Sequence, residues 1–139
     1  MIAKAAVFAM TLLASSTASA EPGAVGEWNT HHAGGVIRIG ECGDALCGKV
    51  VISDPIKADP NVKDVRNADA GLRGRLLKGL TIFYGVKGGP TEWKGGSLYN
   101  PEDGKTYHGS ITLVDADTLK LTGCVFGPFC QTQTWTRIK

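Results

Sequence analysis

The sequence predicts an all-β fold: a small antiparallel up-and-down barrel of eight strands, with one long loop or short-helix insertion. Three observations predict it. Short runs alternate apolar and polar side chains between turn signals, which suits strands with one packed and one wet face. Gly26-Glu27-Trp28 stands at the start of the alternating region, and Trp135-Thr136-Arg137 stands at its end. First and last strands pair when a sheet closes on itself, and an Arg guanidinium can then lie across an indole face. Trp28 and Arg137 are therefore read as structural closure and not as a binding site.

The strands are predicted near 25–30, 35–40, 47–53, 80–86, 92–99, 105–114, 117–124 and 131–138. His31-His32-Ala33-Gly34 joins the first two, and Cys42-Gly43-Asp44-Ala45-Leu46-Cys47 joins the second and third. Pro101-Glu102-Asp103-Gly104 makes a turn, with Pro fixing φ and Gly free to take a left-handed conformation. Asp115-Ala116-Asp117 is another tight connection, and Gly127-Pro128 breaks the chain before the last strand. Alternation is clearest late in the chain. Tyr107, Ile111 and Leu113 share one face, opposite Thr106, His108, Ser110 and Thr112. In the final strand Gln131, Gln133, Trp135 and Arg137 share a face, opposite Thr132, Thr134 and Thr136.

The one long interruption runs from Asp54 to Gly79. Asp54-Pro55 and Asp59-Pro60 favour irregular chain. A short helix is predicted between Asn67 and Leu77, with Asn67 or Asp69 as its cap and Gly79 as its terminator. A connection of this length in a small domain is read as a lid or plug over one end of the barrel.

Residues 1–20 read as a secretory signal peptide. Lys4 is a minimal charged region, Ala5 to Leu13 is apolar, and Ala18-Ser19-Ala20 has the small-x-small pattern of a cleavage site. Cleavage after Ala20 would leave residues 21–139 as a single barrel domain, in the periplasm or secreted. The apolar run is too short for a transmembrane anchor, and no later segment approaches that length. The formal net charge of the whole chain is +2, without a basic run. That argues against nucleic acid as a partner and gives no overall electrostatic reason for strong binding to anionic lipid.

Cys42, Cys47, Cys124 and Cys130 all lie in the part read as exported, where disulfides persist. Four cysteines allow three pairings; the spacing favours Cys42–Cys47 and Cys124–Cys130, each clamping a short loop. Metal binding is the competing reading, but neither spacing is Cys-x-x-Cys and no nearby His completes a site. His31 and His32 are neighbours that point to opposite sides of an extended chain, so they form a poor chelating pair and are read as an exposed loop. No metal is expected. Asp103-Gly104-Lys105-Thr106 ends like a phosphate-binding loop, but Tyr99 stands where the first glycine is required. Ser97 lacks the glycine of a nucleophile elbow. No cofactor is expected.

Two groups remain as candidate ligand contacts. Phe83, Tyr84, Trp93, Tyr99, Tyr107 and Trp135 could line a pocket with Gln131 and Gln133 as polar orienting groups; plain core packing is the alternative, because an eight-stranded barrel can be filled by its own side chains. Asp64, Asn67, Arg73, Arg75 and Lys78 form a polar cluster in the long segment. Such a cluster serves acid–base work, holds an anionic ligand, or fastens the loop to the barrel.

The chain resembles the exported bacterial family known as domain of unknown function 2147. The resemblance is carried by Gly26-Glu27-Trp28, Leu46-Cys47-Gly48, Asp64-x-x-Asn67, Leu72-x-x-Arg75, Trp93-Lys94-Gly95-Gly96, Tyr99-Asn100-Pro101-x-x-Gly104-Lys105-Thr106-Tyr107 and Gln133-Thr134-Trp135-Thr136-Arg137. It implies a lipocalin-like (calycin) barrel and no established activity. In the wider lipocalin group the early Trp and late Arg, here Trp28 and Arg137, close the barrel floor. Three functions are then open: a non-enzymatic barrel binding a small apolar or amphipathic molecule, an envelope interaction protein with a filled lumen, or a hydrolase-like enzyme using Asp64, Arg73 and Arg75.

Overall fold

In a computed structural model describing residues 3, 5–7, 9–13, 23–126 and 128–139, eight antiparallel strands close into a barrel in chain order. They are β1 (Gly26–Asn29), β2 (Val36–Cys42), β3 (Ala45–Ile52), β4 (Thr81–Gly88), β5 (Glu92–Asn100), β6 (Lys105–Asp115), β7 (Thr118–Cys124) and β8 (Cys130–Arg137). The sequence-predicted strands all form, with ends shifted by a few residues. Up-and-down order puts the connections after β1, β3, β5 and β7 at one end of the barrel, the mouth. The short turns after β2, β4 and β6, and the entry to β1, lie at the other end, the floor.

The seam is made where β1 meets β8. Trp28 pairs with Arg137 and Asn29 with Thr136. Trp28 is fully buried, and its indole N–H donates to Ala24 O at 2.9 Å. The Arg137 guanidinium carbon lies 4.3 Å from the Trp28 ring centroid. Its N–H groups donate to Ala116 O (2.6 Å), Val25 O (2.8 Å) and Gly23 O. One planar cation thus stacks on the indole and ties the β6–β7 turn and the chain before β1 across the floor.

Inward side chains fill the floor half of the barrel. Trp28, Ile39, Phe83, Val86, Ile111, Leu119 and Trp135 are all fully buried there. Phe83 and Trp135 meet at 6.3 Å between ring centroids. Space for the Phe83 ring comes from Gly48 across the β3–β4 pair, where an added Cβ would sit 2.1 Å from the ring. The register slips by one residue here, and Ile82 joins the interior beside Phe83.

The long segment differs from the sequence prediction. Its one α-helix, α1, is Asp54–Ala58, capped by Ser53, with Pro55 in the first turn and Ile56 buried in the core. Between Asn67 and Leu77 only a single 3-10 turn forms, Ala70–Leu72, with Asp69 as its cap. Gly71 and Gly74 remove helix propensity there, and the chain instead forms a small hairpin, with Lys63 bridged to Leu76. Both expected disulfides, Cys42–Cys47 and Cys124–Cys130, are present. The cleavage motif at Ala18-Ser19-Ala20 lies outside the described residues. Val7, Met10, Leu12 and Leu13 are about nine-tenths exposed, so the barrel's packing does not rest on them.

Replacing Trp28 with Ala removes a buried indole and is expected to cost about 3–5 kcal/mol in a denaturant titration. Arg137→Ala removes the guanidinium stacked on Trp28 and its charge-assisted bonds to three backbone carbonyls, and is expected to cost about 1.5–3 kcal/mol. Unchanged melting of either variant would contradict the seam assignment.

Candidate functional site

The mouth half of the barrel is hollow. A cavity of about 680 Å³ opens between the 30–35 loop, the long segment and the β5–β6 turn. Its depth follows from strand alternation. Going inward, β8 contributes Gln131, Gln133 and Trp135, β7 contributes Gly123 and Leu121, and β2 contributes Ile37. One register step further toward the floor, Leu119, Ile111 and Ile39 are packed solid. Trp135 is therefore the base of the cavity and the roof of the core.

The wall is mostly apolar, with Val50, Ile82, Leu98 and Tyr107 joining those above. Polar groups sit low and at the rim. Gln133 Oε1 accepts from the Trp135 indole N–H at 3.0 Å, so its amide NH₂ remains to donate to a ligand. At the rim His32 meets Glu102 at 2.7 Å, linking the β1–β2 loop to the β5–β6 turn. Lys63 and Arg66 line the same opening.

The long segment forms part of the wall rather than a plug, through Val62, Lys63, Val65, Arg66 and Leu77. A buried polar knot fastens it. Asp64 is 1% exposed. Its carboxylate accepts from Tyr99 Oη (2.5 Å), Asn67 Nδ2 (2.9 Å) and Arg75 Nε (2.9 Å). Arg75 also lies over the Tyr99 ring, 5.1 Å from its centroid. Arg73 donates to Asn67 O at 2.8 Å. Backbone contact completes the attachment: Ala68 N–H donates to Gly104 O at 3.1 Å, and Arg66 Nη1 donates to Glu102 O at 3.0 Å. Only glycine fits at 104, since an added Cβ would sit 1.7 Å from Arg66 O and φ is +72°.

Burial pushes the Asp64 carboxyl up, but the bonds from Tyr99, Asn67 and Arg75, with Arg75's charge, outweigh it and hold it below the usual range. Burial, and then the bond to Asp64, push the Tyr99 phenol up to about 12.

The sequence-based candidates therefore divide. Tyr99, Tyr107, Gln133 and Trp135 line the cavity. Tyr84 does not: it is 56% exposed, opposite Ser97, because it falls on the outward phase of β4. Trp93 does not either: it pairs with Ile111 and belongs to the core below the cavity. Asp64, Asn67, Arg73 and Arg75 do not line the cavity; they bind one another and the backbone as an anchor. Arg73 bonds to Asn67 O and Arg75 to the Asp64 carboxylate, and neither arginine lines the cavity. Sequence reasoning passed over Leu98, Leu121, Lys63, Arg66 and the His32–Glu102 pair. Leu121 was detectable from its strand phase. The rim groups were not, because they converge from loops far apart in the chain.

The anchor should depend on pH at both ends. The Asp64 contribution is full above the ordinary carboxylate value of about 3.9 and is lost as pH falls through the lowered folded value. The Tyr99 contribution is full below the ordinary phenol value of about 10 and is lost as pH rises through about 12. Limited proteolysis of the 59–79 segment should be slowest between about pH 4 and pH 10. Tyr99→Phe should speed it at neutral pH and cost about 1–3 kcal/mol. Equal cleavage of variant and parent would remove the anchoring role.

No protein of curated function matches the sequence. Among solved structures the barrel matches Protein HP1028 from the human pathogen Helicobacter pylori, described as belonging to the lipocalin family. The two share 24% identity and a TM-score of 0.73, over 83% of this chain and 82% of that one. The likeness is one of fold. The closed barrel, the Trp28–Arg137 seam and the anchored segment all fall within residues 26–137, which match the model of an uncharacterised protein family conserved in bacteria (DUF2147), and the chain belongs to that family.

Proposed function

We propose that this protein binds a small amphipathic molecule, with its apolar part above Trp135 and its polar part at the rim. The observation that carries the reading is the hollow mouth half of an otherwise packed barrel. A cavity of about 680 Å³ is in the usual range for small-ligand sites, about 300–1,000 Å³. Its apolar wall and few polar groups suit a ligand held by burial and oriented by one or two hydrogen bonds. Gln133 is the inner orienting group; Lys63, Arg66 and His32 are the outer ones.

The reading is of carriage or sequestration and not of catalysis. Asp64 and Tyr99, the buried pair with shifted protonation, are engaged in the anchor. Two disulfides and the signal-like N-terminal stretch support action outside the cytoplasm.

Titration with a fluorescent single-chain amphipath should give saturable binding and a change in Trp135 emission. Leu121→Trp fills the cavity from its wall. It should weaken that binding at least tenfold, with the barrel's melting transition retained. No saturable binding to the parent protein, or equal binding by the folded variant, would overturn the reading.

A further inference from the structure

The connection between β7 and β8 presents apolar side chains to solvent at the mouth. Val125 is 53% exposed, Phe126 69% and Phe129 64%. The two phenyl rings pack edge to face, 5.5 Å apart. The Cys124–Cys130 disulfide closes the loop at its base. Inside it, Val125 N–H donates to Phe129 O at 3.0 Å and Phe129 N–H donates to Phe126 O at 3.3 Å. The aromatic tip is thus a built feature.

Across the cavity opening stands a second lip, Lys63-Asp64-Val65-Arg66. Asp64 turns into the anchor, which leaves Lys63, Val65 and Arg66 at the opening, with Val65 65% exposed. Among the described residues neither Lys63 nor Arg66 is ion-paired with a carboxylate; the Arg66 bond is to a backbone carbonyl. The nearby carboxylates are engaged. Glu102 pairs with His32, and Asp103 accepts from the Lys105 N–H and the Tyr107 hydroxyl.

We propose that this end of the barrel docks on an anionic lipid surface, with Phe126 and Phe129 entering the interface and Lys63 and Arg66 meeting headgroup phosphates. Aromatic tips with flanking cations are the composition that interfacial binding favours. The size of the patch selects this occupant over a protein. A fully buried aromatic side chain covers about 150–250 Å², so two rings present a few hundred at most, against roughly 800 Å² per partner in a stable protein interface. The loop joins the strand ends that carry Gly123 and Gln131 of the cavity wall, so docking would bring the cavity's end of the barrel to the membrane face. The near-neutral charge of the whole chain does not oppose this, because the two cations without a carboxylate partner are local to the lip.

The test is flotation of the chain from Glu21 onward with vesicles containing phosphatidylglycerol, beside vesicles of pure phosphatidylcholine. Starting at Glu21 keeps the apolar N-terminal stretch from anchoring the protein by itself. Binding should require the anionic lipid and weaken with added salt. Phe126→Ser with Phe129→Ser should reduce it at least tenfold. Lys63→Gln with Arg66→Gln should reduce it on the order of 25-fold, at roughly fivefold per cation. The phenylalanine variant should keep the parent's melting temperature, and the cation variant, which loses the Arg66 bond to Glu102 O, should still show a cooperative melting transition. The cavity-filled Leu121→Trp variant should still float, which separates this proposal from the ligand-binding reading. Absence of binding by the parent, or equal binding by the folded phenylalanine variant, overturns it. So does sedimentation in which the parent dimerises and that variant is monomeric, because the patch would then belong to a second copy.

Discussion

Closure of the sheet is the constraint on which everything else depends. β1 is only four residues long, and its ladder with β8 runs through two register pairs, Trp28 with Arg137 and Asn29 with Thr136. Flanking backbone bonds extend it, from Ile138 N–H to Glu27 O (2.7 Å) and from Glu27 N–H to Lys139 O (2.6 Å). So short a seam leaves much of the joining to side chains. A buried indole stacked under a guanidinium supplies apolar contact and charge-assisted bonds at the same place. Without closure both edge strands would expose unpaired backbone, and the interior would lose its enclosure.

Closure also divides the interior. Below Trp135 the inward positions carry large side chains, and Gly48 makes room for the ring of Phe83. Above it the inward positions of β7 and β8 carry Gly123, Gln131 and Gln133, which leave the upper lumen open. The same periodicity therefore yields a core at one end and a cavity at the other. What differs is side-chain size and polarity along each strand. A barrel of this strand number stands near the boundary between filled and hollow, so a few small or polar residues decide the outcome.

The long segment turns the open end into a shaped site. Its polar knot at Asp64 is costly to bury, and that cost is offset by three donors converging on one carboxylate. The result is a wall with a defined edge, and it is this edge that presents Lys63, Val65 and Arg66. Anchoring and presentation thus arise together: the Asp64 carboxylate is tied into the anchor, and the turn at Val65 and Arg66 leaves those side chains and Lys63 at the opening.

The strands, the disulfide pairs and the Trp28–Arg137 closure were legible in the sequence, because period-two patterning, turn residues and short cysteine spacings are local signals. The inward phase of β8 was legible for the same reason, and with it Gln133 and Trp135. The helix was displaced because glycines at 71 and 74 favour a turn, whereas Ser53 and Pro55 make a start that a propensity reading of Asn67–Leu77 overlooks. Tyr84 and Trp93 were grouped with the pocket by residue type. Only strand phase and height in the closed barrel put one outside and the other below. The role of Asp64, the meeting of His32 with Glu102, and the hollow upper lumen were tertiary decisions. They depend on residues dozens of positions apart being brought within hydrogen-bonding distance, and on volume left unfilled, neither of which a linear pattern encodes.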